Sequence, residues 1–518
     1  MLIKFVFLIV FFAVMIGVGL YSRRHATNVN DFVLGGRAVG PWLPAFAYGT
    51  SYFCAVVFVG YAGQFGYKYG LASTWIGIGN AFIGSLLAWV ILGRRTRIMS
   101  NHLSASTMPD YFGKRYQSNA LRIAASAISF IFLIPYTASV YNGLSRLFGM
   151  AFDIPYEACV IAMAVLTCIY VTLGGYMATA INDFIQGIVM LGGIVVVILA
   201  VLKGQGGFLH AVSSLAEFES DIPVTMGQKG AFASFFGPDP LNLLGVIVLT
   251  SLGTWGLPQM IHKFYAIKDE RSIQSGTVIS TFFAVIVSVG CYFLGGFGRL
   301  FDTEKIHGAD GSVIYDAIIP SMLSTLPDIL VGIVIVLVLS ASMSTLSSLV
   351  LTSSSTLTLD FLKDNVFKNM DEKKQLLWMR ILLVFFIVCS VVLALFPPKS
   401  IARFIAQLMG ISWGALAGAF LAPFLYGLYW KGVTRAAVWA SFICGIGITV
   451  SNMFFSYIKS PINAGAIAMA AGLMIVPLVS LFTPKMEENE VEKIFSCMEE
   501  QVMVDKKTAL PREGKKQG

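Results

Sequence analysis

Charge is scarce in this chain. Asp, Glu, Lys and Arg make up 12% of its 518 residues, where a soluble protein carries about a quarter. A water-facing surface cannot be covered on that supply, so a soluble fold is excluded. The sequence also lacks GxxxxGK[ST], HExxH and GxSxG. P-loop ATP binding, zinc peptidase chemistry and a nucleophile elbow therefore have no support. The seven cysteines (Cys54, Cys159, Cys168, Cys291, Cys389, Cys444, Cys497) show no CxxC or CxxH spacing. They read as small packing residues, with neither a disulfide framework nor a metal site. Five histidines, at 25, 102, 210, 262 and 307, fall in or beside loops and read as surface or interface residues. No mid-membrane catalytic cluster can be assembled, which argues against an enzyme. Short segments of strict alternation, the mark of a membrane barrel, are missing as well.

What the chain has is apolar runs. Hydrophobic residues are 56% of it, and a bilayer crossing takes ~20 helical residues. The expected class is an all-α polytopic membrane protein. We place about thirteen spans near 3–21, 42–66, 73–93, 121–149, 158–173, 177–202, 242–262, 275–299, 327–360, 380–396, 401–428, 437–457 and 464–482. The first run is long, lacks a cleavage site and is followed, not preceded, by Arg23 and Arg24. It reads as an uncleaved span with its N-terminus outside.

The net charge of +8 resides in short loops. Arg37, Arg94, Arg95, Arg97, Lys114, Arg115, Lys263, Lys268, Arg271, Lys363, Lys368, Lys373, Lys374, Lys431 and Arg435 all fall on one side of this topology. The positive-inside rule makes that side cytoplasmic, and the C-terminus with it. No nucleic-acid partner is implied; the partners expected are lipid, a small solute and an ion. The loop 301–328 on the other side leans acidic. The tail 483–518 reads as polar, partly disordered chain.

Two spans carry helix-weakening residues at mid-depth. The second, PAFAYGTSYFCAVVFVG, has Gly49; the seventh, LTSLGTWGLPQM, has Gly253, Gly256 and Pro258. Gly and Pro free backbone carbonyls. Interrupted spans at matching places five apart are the mark of an inverted repeat with its site at the breaks; the alternative is the Gly and Pro common in any membrane helix. The ninth span ends in SASMSTLSSLVLTSSSTLTLD. At 100° per residue, Ala341, Ser344, Thr345, Ser348 and Thr352 share one arc, Ser355 joins them, and Ser347 lies on its flank. A single Ser or Thr most often bonds back to the i−4 carbonyl. The run MSTLSS as a unit reads as oxygen ligands for a hard monovalent cation that must also leave. From Thr352 onward the helix reads as a cytoplasm-facing end lining an exit path. Charged residues inside spans are few, and Asp183, near the start of one, is the notable one; such residues are functional by default unless they are surface N-caps.

The segments FVLGGRAVGPW, STMPDYFGKRY, TLGGYMATAINDFIQG and SASMSTLSS together resemble the sodium:solute symporter family, and the resemblance spans nearly the whole chain. DIPYE, NDFIQGIVML and WGLP look like its sodium/pantothenate members; YTAS and MSTLS look like its sodium/proline members. The resemblance implies alternating access on a ten-helix inverted-repeat core, the leucine-transporter fold. Here the core would be 41–428. Residues 1–40 would be a first span and loop, 429–482 two accessory spans, and 483–518 a tail.

The resemblance also implies a sodium site with backbone carbonyls from Thr50, Phe53 and Ala341 and hydroxyls from Ser344 and Thr345. A second sodium or coupling site would use Asp183, Ser347 and Ser348. Substrate would face Tyr52, Cys54 and Val57, then Tyr136 and Tyr141, then Thr254, Trp255 and Pro258. Proline-type members have an acidic residue where this chain has Tyr52. The function expected is Na+-coupled uptake of a small solute, a proline-like amino acid or a monocarboxylate such as pantothenate, without an organic cofactor. The alternatives are a sensor or channel on the same scaffold, or a proton-coupled carrier leaning on Asp183.

Overall fold

The computed structural model describes residues 2–22, 28–37, 39–152, 154–308, 311–367, 370–396 and 405–509. Among them the regular structure is helical, with three isolated β-bridges and no strand. In lipid each backbone polar group needs an internal partner, and a helix supplies it within the segment.

Among the described residues ten helices are long and apolar enough to cross a bilayer, or eleven if one bent pair counts as a span. Two of the ten, Val56–His102 and Tyr156–Gly204, have 47 and 49 residues. At ~1.5 Å per residue either is about twice a bilayer's thickness. Each holds a positive-φ glycine inside it, Gly70 (φ 60°) and Gly175 (φ 53°). Division at those two glycines would give the thirteen crossings expected. The start of the expected span 401–428 lies outside the described residues.

The elements that build the site are α1 (Leu2–Ser22), α2 (Trp42–Tyr52), α3 (Ala62–Tyr69), α4 (Asn119–Phe152), α5 (Tyr156–Gly204), α6 (Pro240–Leu252), α7 (Pro258–Ala266), α8 (Glu270–Ala284), α9 (Asp328–Thr356) and α10 (Glu372–Leu395), followed by α11 (Ile405–Tyr429). Helices α12 (Arg435–Phe455) and α13 (Pro461–Phe482) pack on α11. Burial separates the periphery from the centre. In α1 only 22% of the apolar window is buried, against 78% for the span that contains α9 and 94% for α11. Every residue of α9 from Leu337 to Thr356 is buried. The hydroxyl-rich stretch of this helix is therefore packed inside the protein, its end from Thr352 included, while the start of the helix is exposed at Ile329.

The basic loops meet at one end of the bundle, as expected. Arg37 donates to the Ala105 carbonyl, Arg94 pairs with Glu270 at 3.1 Å, and Arg97 donates to the Ile267 carbonyl. Arg435 donates to the Tyr116 carbonyl. Asp269 caps α8 by accepting the Ser272 N–H, which holds its carboxyl below the usual range. Lys368 and Arg23 lie outside the described residues. Arg115 is not a loop charge in solvent: it is fully buried and donates to the carbonyls of Gly427 and Trp430.

The tail differs from expectation too. It forms α14 (Glu488–Ala509), with Val491, Ile494 and Phe495 buried on one side. Their i, i+3, i+4 spacing is the helix signal, masked by the acidic residues between them.

Candidate functional site

Both interrupted spans break, and they break alike. Helix α2 ends at Phe53, whose backbone is extended (φ −89°, ψ 113°). Helix α6 passes through a 3-10 turn, Gly253–Gly256, to Leu257 (φ −89°, ψ 121°), and α7 restarts at a 47° bend. Leu257 is extended because it precedes Pro258, whose ring disfavours the α region for the residue before it. The first break has no proline. Its freed N–H at Ala55 is taken by the Ser342 hydroxyl of α9 at 3.0 Å. Gly49 allows α2 to lie close against α8: a Cβ there would lie 2.4 Å from Phe283.

Four hydroxyls of α9 reach another helix, all between Ser342 and Ser348. Ser344 donates to the Thr50 hydroxyl at 2.8 Å. The Thr345 Oγ1 lies 3.1 Å from the Ala341 carbonyl, 3.5 Å from that of Thr50 and 3.1 Å from that of Ser51. Ser348 meets the Ser51 hydroxyl at 2.8 Å. By contrast Ser347, Ser354 and Thr358 bond back within their own helix. So Thr50, Ala341, Ser344 and Thr345 come together as a neutral oxygen cluster between broken α2 and unbroken α9. Phe53 stands at the break beside them. The donor set suits a hard monovalent cation.

Asp183 is not an N-cap. It lies inside α5, fully buried, and its partner is a residue of α7. Lys263, 2% exposed, sets its ammonium 3.7 Å from the Asp183 carboxylate and 2.9 Å from the Ser348 hydroxyl. It also sits over the Tyr176 ring at 5.7 Å. Unit charges about 4 Å apart attract by ~4 kcal/mol at an effective dielectric of about 20. Lys263 is thus a correction to its reading as a cytoplasmic loop charge. His262 beside it corrects the expectation of a surface histidine. It is 5% exposed, with its ring against Tyr176.

The comparisons with known proteins agree with this fold. The model of the sodium:solute symporter family matches residues 32–445. The chain belongs to that family. It is 29% identical to sodium/proline symporter 2 of Staphylococcus saprophyticus over 459 residues, covering 86% of this chain and 85% of that one. It is 28% identical to the sodium/proline symporter of Staphylococcus aureus over 475 residues, or 88% and 86%. Among solved structures it resembles the substrate-bound outward-open state of a Na+-coupled sialic acid symporter. The TM-score is 0.75 at 16% identity, over 94% of this chain and 98% of that one. That likeness is one of fold, the leucine-transporter type. The family is one of transporters, not enzymes.

In this symporter the expected substrate-facing residues part into two groups. Tyr52 and Tyr136 both pack on Trp413 of α11, at ring distances of 5.5 and 5.8 Å. Among the described residues, their hydroxyls and the Trp413 indole N–H are buried without a well-formed hydrogen bond. Cys54 is buried beside them at the break. The hydroxyls of Tyr61 and Tyr292 are unpartnered too. Buried polar atoms of this kind call for a ligand or water. Thr254 and Trp255 are different: their polar atoms bond the carbonyls of Gly84 and Ile83. Pro258 opens α7, Val57 lies in the turn after the break, and the Tyr141 hydroxyl is buried and unpartnered. Sequence reasoning missed Tyr61, Tyr292 and Trp413. A signal existed for the last: one indole amid the small residues of ISWGALAGA.

Proposed function

We propose that this symporter carries a small organic solute and Na+ together across the cell membrane by alternating access. The observation that carries this is the neutral oxygen cluster of Thr50, Ala341, Ser344 and Thr345, which joins a broken helix to an unbroken one. Phe53 adds a carbonyl at the break. Sodium bound there stabilises one arrangement of the two helices, and solute binding gains from it reciprocally. Tyr52, Cys54 and Tyr136, with Trp413, form the substrate wall. That wall has no charged side chain and few hydrogen-bond groups, which suits an amino acid or monocarboxylate better than a sugar acid. The relatives named for proline make it the first substrate to test, with pantothenate second. We place the N-terminus outside and the C-terminus in the cytoplasm, from the side on which the basic loops meet.

The test is uptake of radiolabelled proline and pantothenate into proteoliposomes under an inward Na+ gradient. Accumulation that collapses with the gradient is expected. Uptake indifferent to Na+, or driven equally by a pH gradient in its absence, would overturn the reading.

A further inference from the structure

We propose that the second cation of this carrier is its own: the Lys263 ammonium fills the seat of Asp183 and Ser348, so one Na+ is bound per molecule. The inference rests on the symporter reading above. Three residues were expected to hold a second sodium or couple to one. Two of them, Asp183 and Ser348, face the Lys263 ammonium at 3.7 and 2.9 Å. The third, Ser347, donates to the Ser344 carbonyl of its own helix.

The pair is enclosed. Asp183 is fully buried and Lys263 nearly so. Among the described residues the Lys263 ammonium is the cation that faces this carboxylate, with the neutral Ser344 hydroxyl also beside it, so the ammonium is what balances the charge. The other groups around it are neutral or aromatic: the Tyr176 ring under the ammonium, the Ser348 hydroxyl, and His262 next in the chain. A sodium ion added here would place two cations on one carboxylate inside protein, where like charges repel strongly.

The tether also does what an ion would do. Lys263 belongs to α7, the half-helix that restarts after the second break. Its two partners stand on α5 and α9, which do not break at that depth. It therefore ties the second broken helix to the unbroken pair, as sodium ties the first. Ser51 joins the two ties, since its hydroxyl meets Ser348 and its carbonyl meets Thr345. A covalently held cation cannot be released with the cargo. The carrier keeps the bridge and takes no second sodium across with the solute.

The test counts radioactive sodium bound at saturation by the purified full-length chain, with Lys263→Met and the double variant Lys263→Met/Asp183→Asn beside it. Lys263→Met vacates the seat and leaves a bare carboxylate, so bound sodium should rise about twofold over wild type. The double variant removes the carboxylate as well and should return to the wild-type count. It carries no buried net charge, so it serves if the single variant does not fold. Two ions on the wild type would overturn the inference and leave the symporter reading standing. So would a folded Lys263→Met that binds no more than wild type, or a double variant that binds fewer ions than wild type. No sodium on the wild type would overturn the symporter reading, and this inference with it.

Discussion

The two proposed cation seats share Ser51 and are built from different materials. The seat of Thr50, Ala341, Ser344 and Thr345 offers neutral oxygens only. The seat of Asp183 and Ser348 offers a full negative charge, and a lysine answers it. The difference follows from whether the cation must leave. An ion bound by carbonyls and hydroxyls is held by partial charges, so release is a modest step. A carboxylate buried in protein holds a cation far more tightly and is itself costly when left alone. The first material suits cargo, the second a permanent strut.

The largest expected effect comes from breaking the strut. Asp183→Asn leaves the Lys263 ammonium buried without its counter-charge, a loss of about 3–5 kcal/mol for a buried pair. Thermal unfolding of the purified protein should show a clear fall in Tm. Lys263→Met/Asp183→Asn should recover most of it, because both charges are gone. A double variant no more stable than the single would mean that the two residues do not act as a pair.

That pair also marks where sequence reading stops. The neutral seat was legible because helix geometry alone gathers Ala341, Ser344 and Thr345 on one arc, and Gly49 and Pro258 announce the breaks. Lys263 was not. A lysine at the end of an apolar run looks the same whether it reaches for water or for a carboxylate eighty positions away in sequence. Only the packing of α7 against α5 and α9 separates the two. The aromatic wall was half legible for the same reason. Tyr136 lies in YTAS, which looks like the proline-type members, and Tyr52 stands where those members have an acidic residue, while Trp413 joins them only through the fold. Arg115, too, reads as a topology charge until the carbonyls of Gly427 and Trp430 are seen to hold it.

Next in size is the loss of the neutral seat's hydroxyls. Ser344→Ala with Thr345→Ala removes two ligands and should raise the Na+ concentration for half-maximal uptake by roughly ten- to a hundredfold, from ~1–3 kcal/mol of lost interaction. Tm without sodium should change far less than in Asp183→Asn, since no charge is stranded. Thr345→Ser keeps the hydroxyl and should restore most of the affinity. Equal damage from Thr345→Ser would assign the residue to packing.

A smaller effect should come from a residue that ligates nothing. Gly49→Ala puts a methyl 2.4 Å from the Phe283 ring carbon, and overpacking of this kind costs about 1–3 kcal/mol. The strain falls on α2 just before Thr50 and Ser51, whose carbonyls face Thr345. The Na+ requirement should therefore rise a few-fold with the ligand set intact. Unchanged Na+ dependence in a folded Gly49→Ala would show that the break tolerates the shift and that the hydroxyls alone fix the seat.

The smallest effect separates the strut from the surface. His307 lies in the loop at the end opposite the basic residues. Its Nε2 is 2.6 Å from the Asp302 carboxylate, and that bond raises its pKa above the ordinary ~6.5 of an imidazole. The other Asp302 oxygen accepts the Tyr67 hydroxyl at 2.7 Å. Because the folded value lies above the unfolded one, the tether is complete below the ordinary pKa and is lost as pH rises through the folded pKa. Protection of the loop against hydrogen exchange, taken relative to the intrinsic rate that base catalysis raises with pH, should therefore fall on going from mildly acidic to mildly basic pH. His307→Gln should abolish that change. If uptake shows a pH dependence over the same range, its disappearance in His307→Gln would place it in this loop. Its persistence would place it elsewhere, with the Lys263 and Asp183 pair the next to test, and a strut that titrates during transport would no longer be permanent.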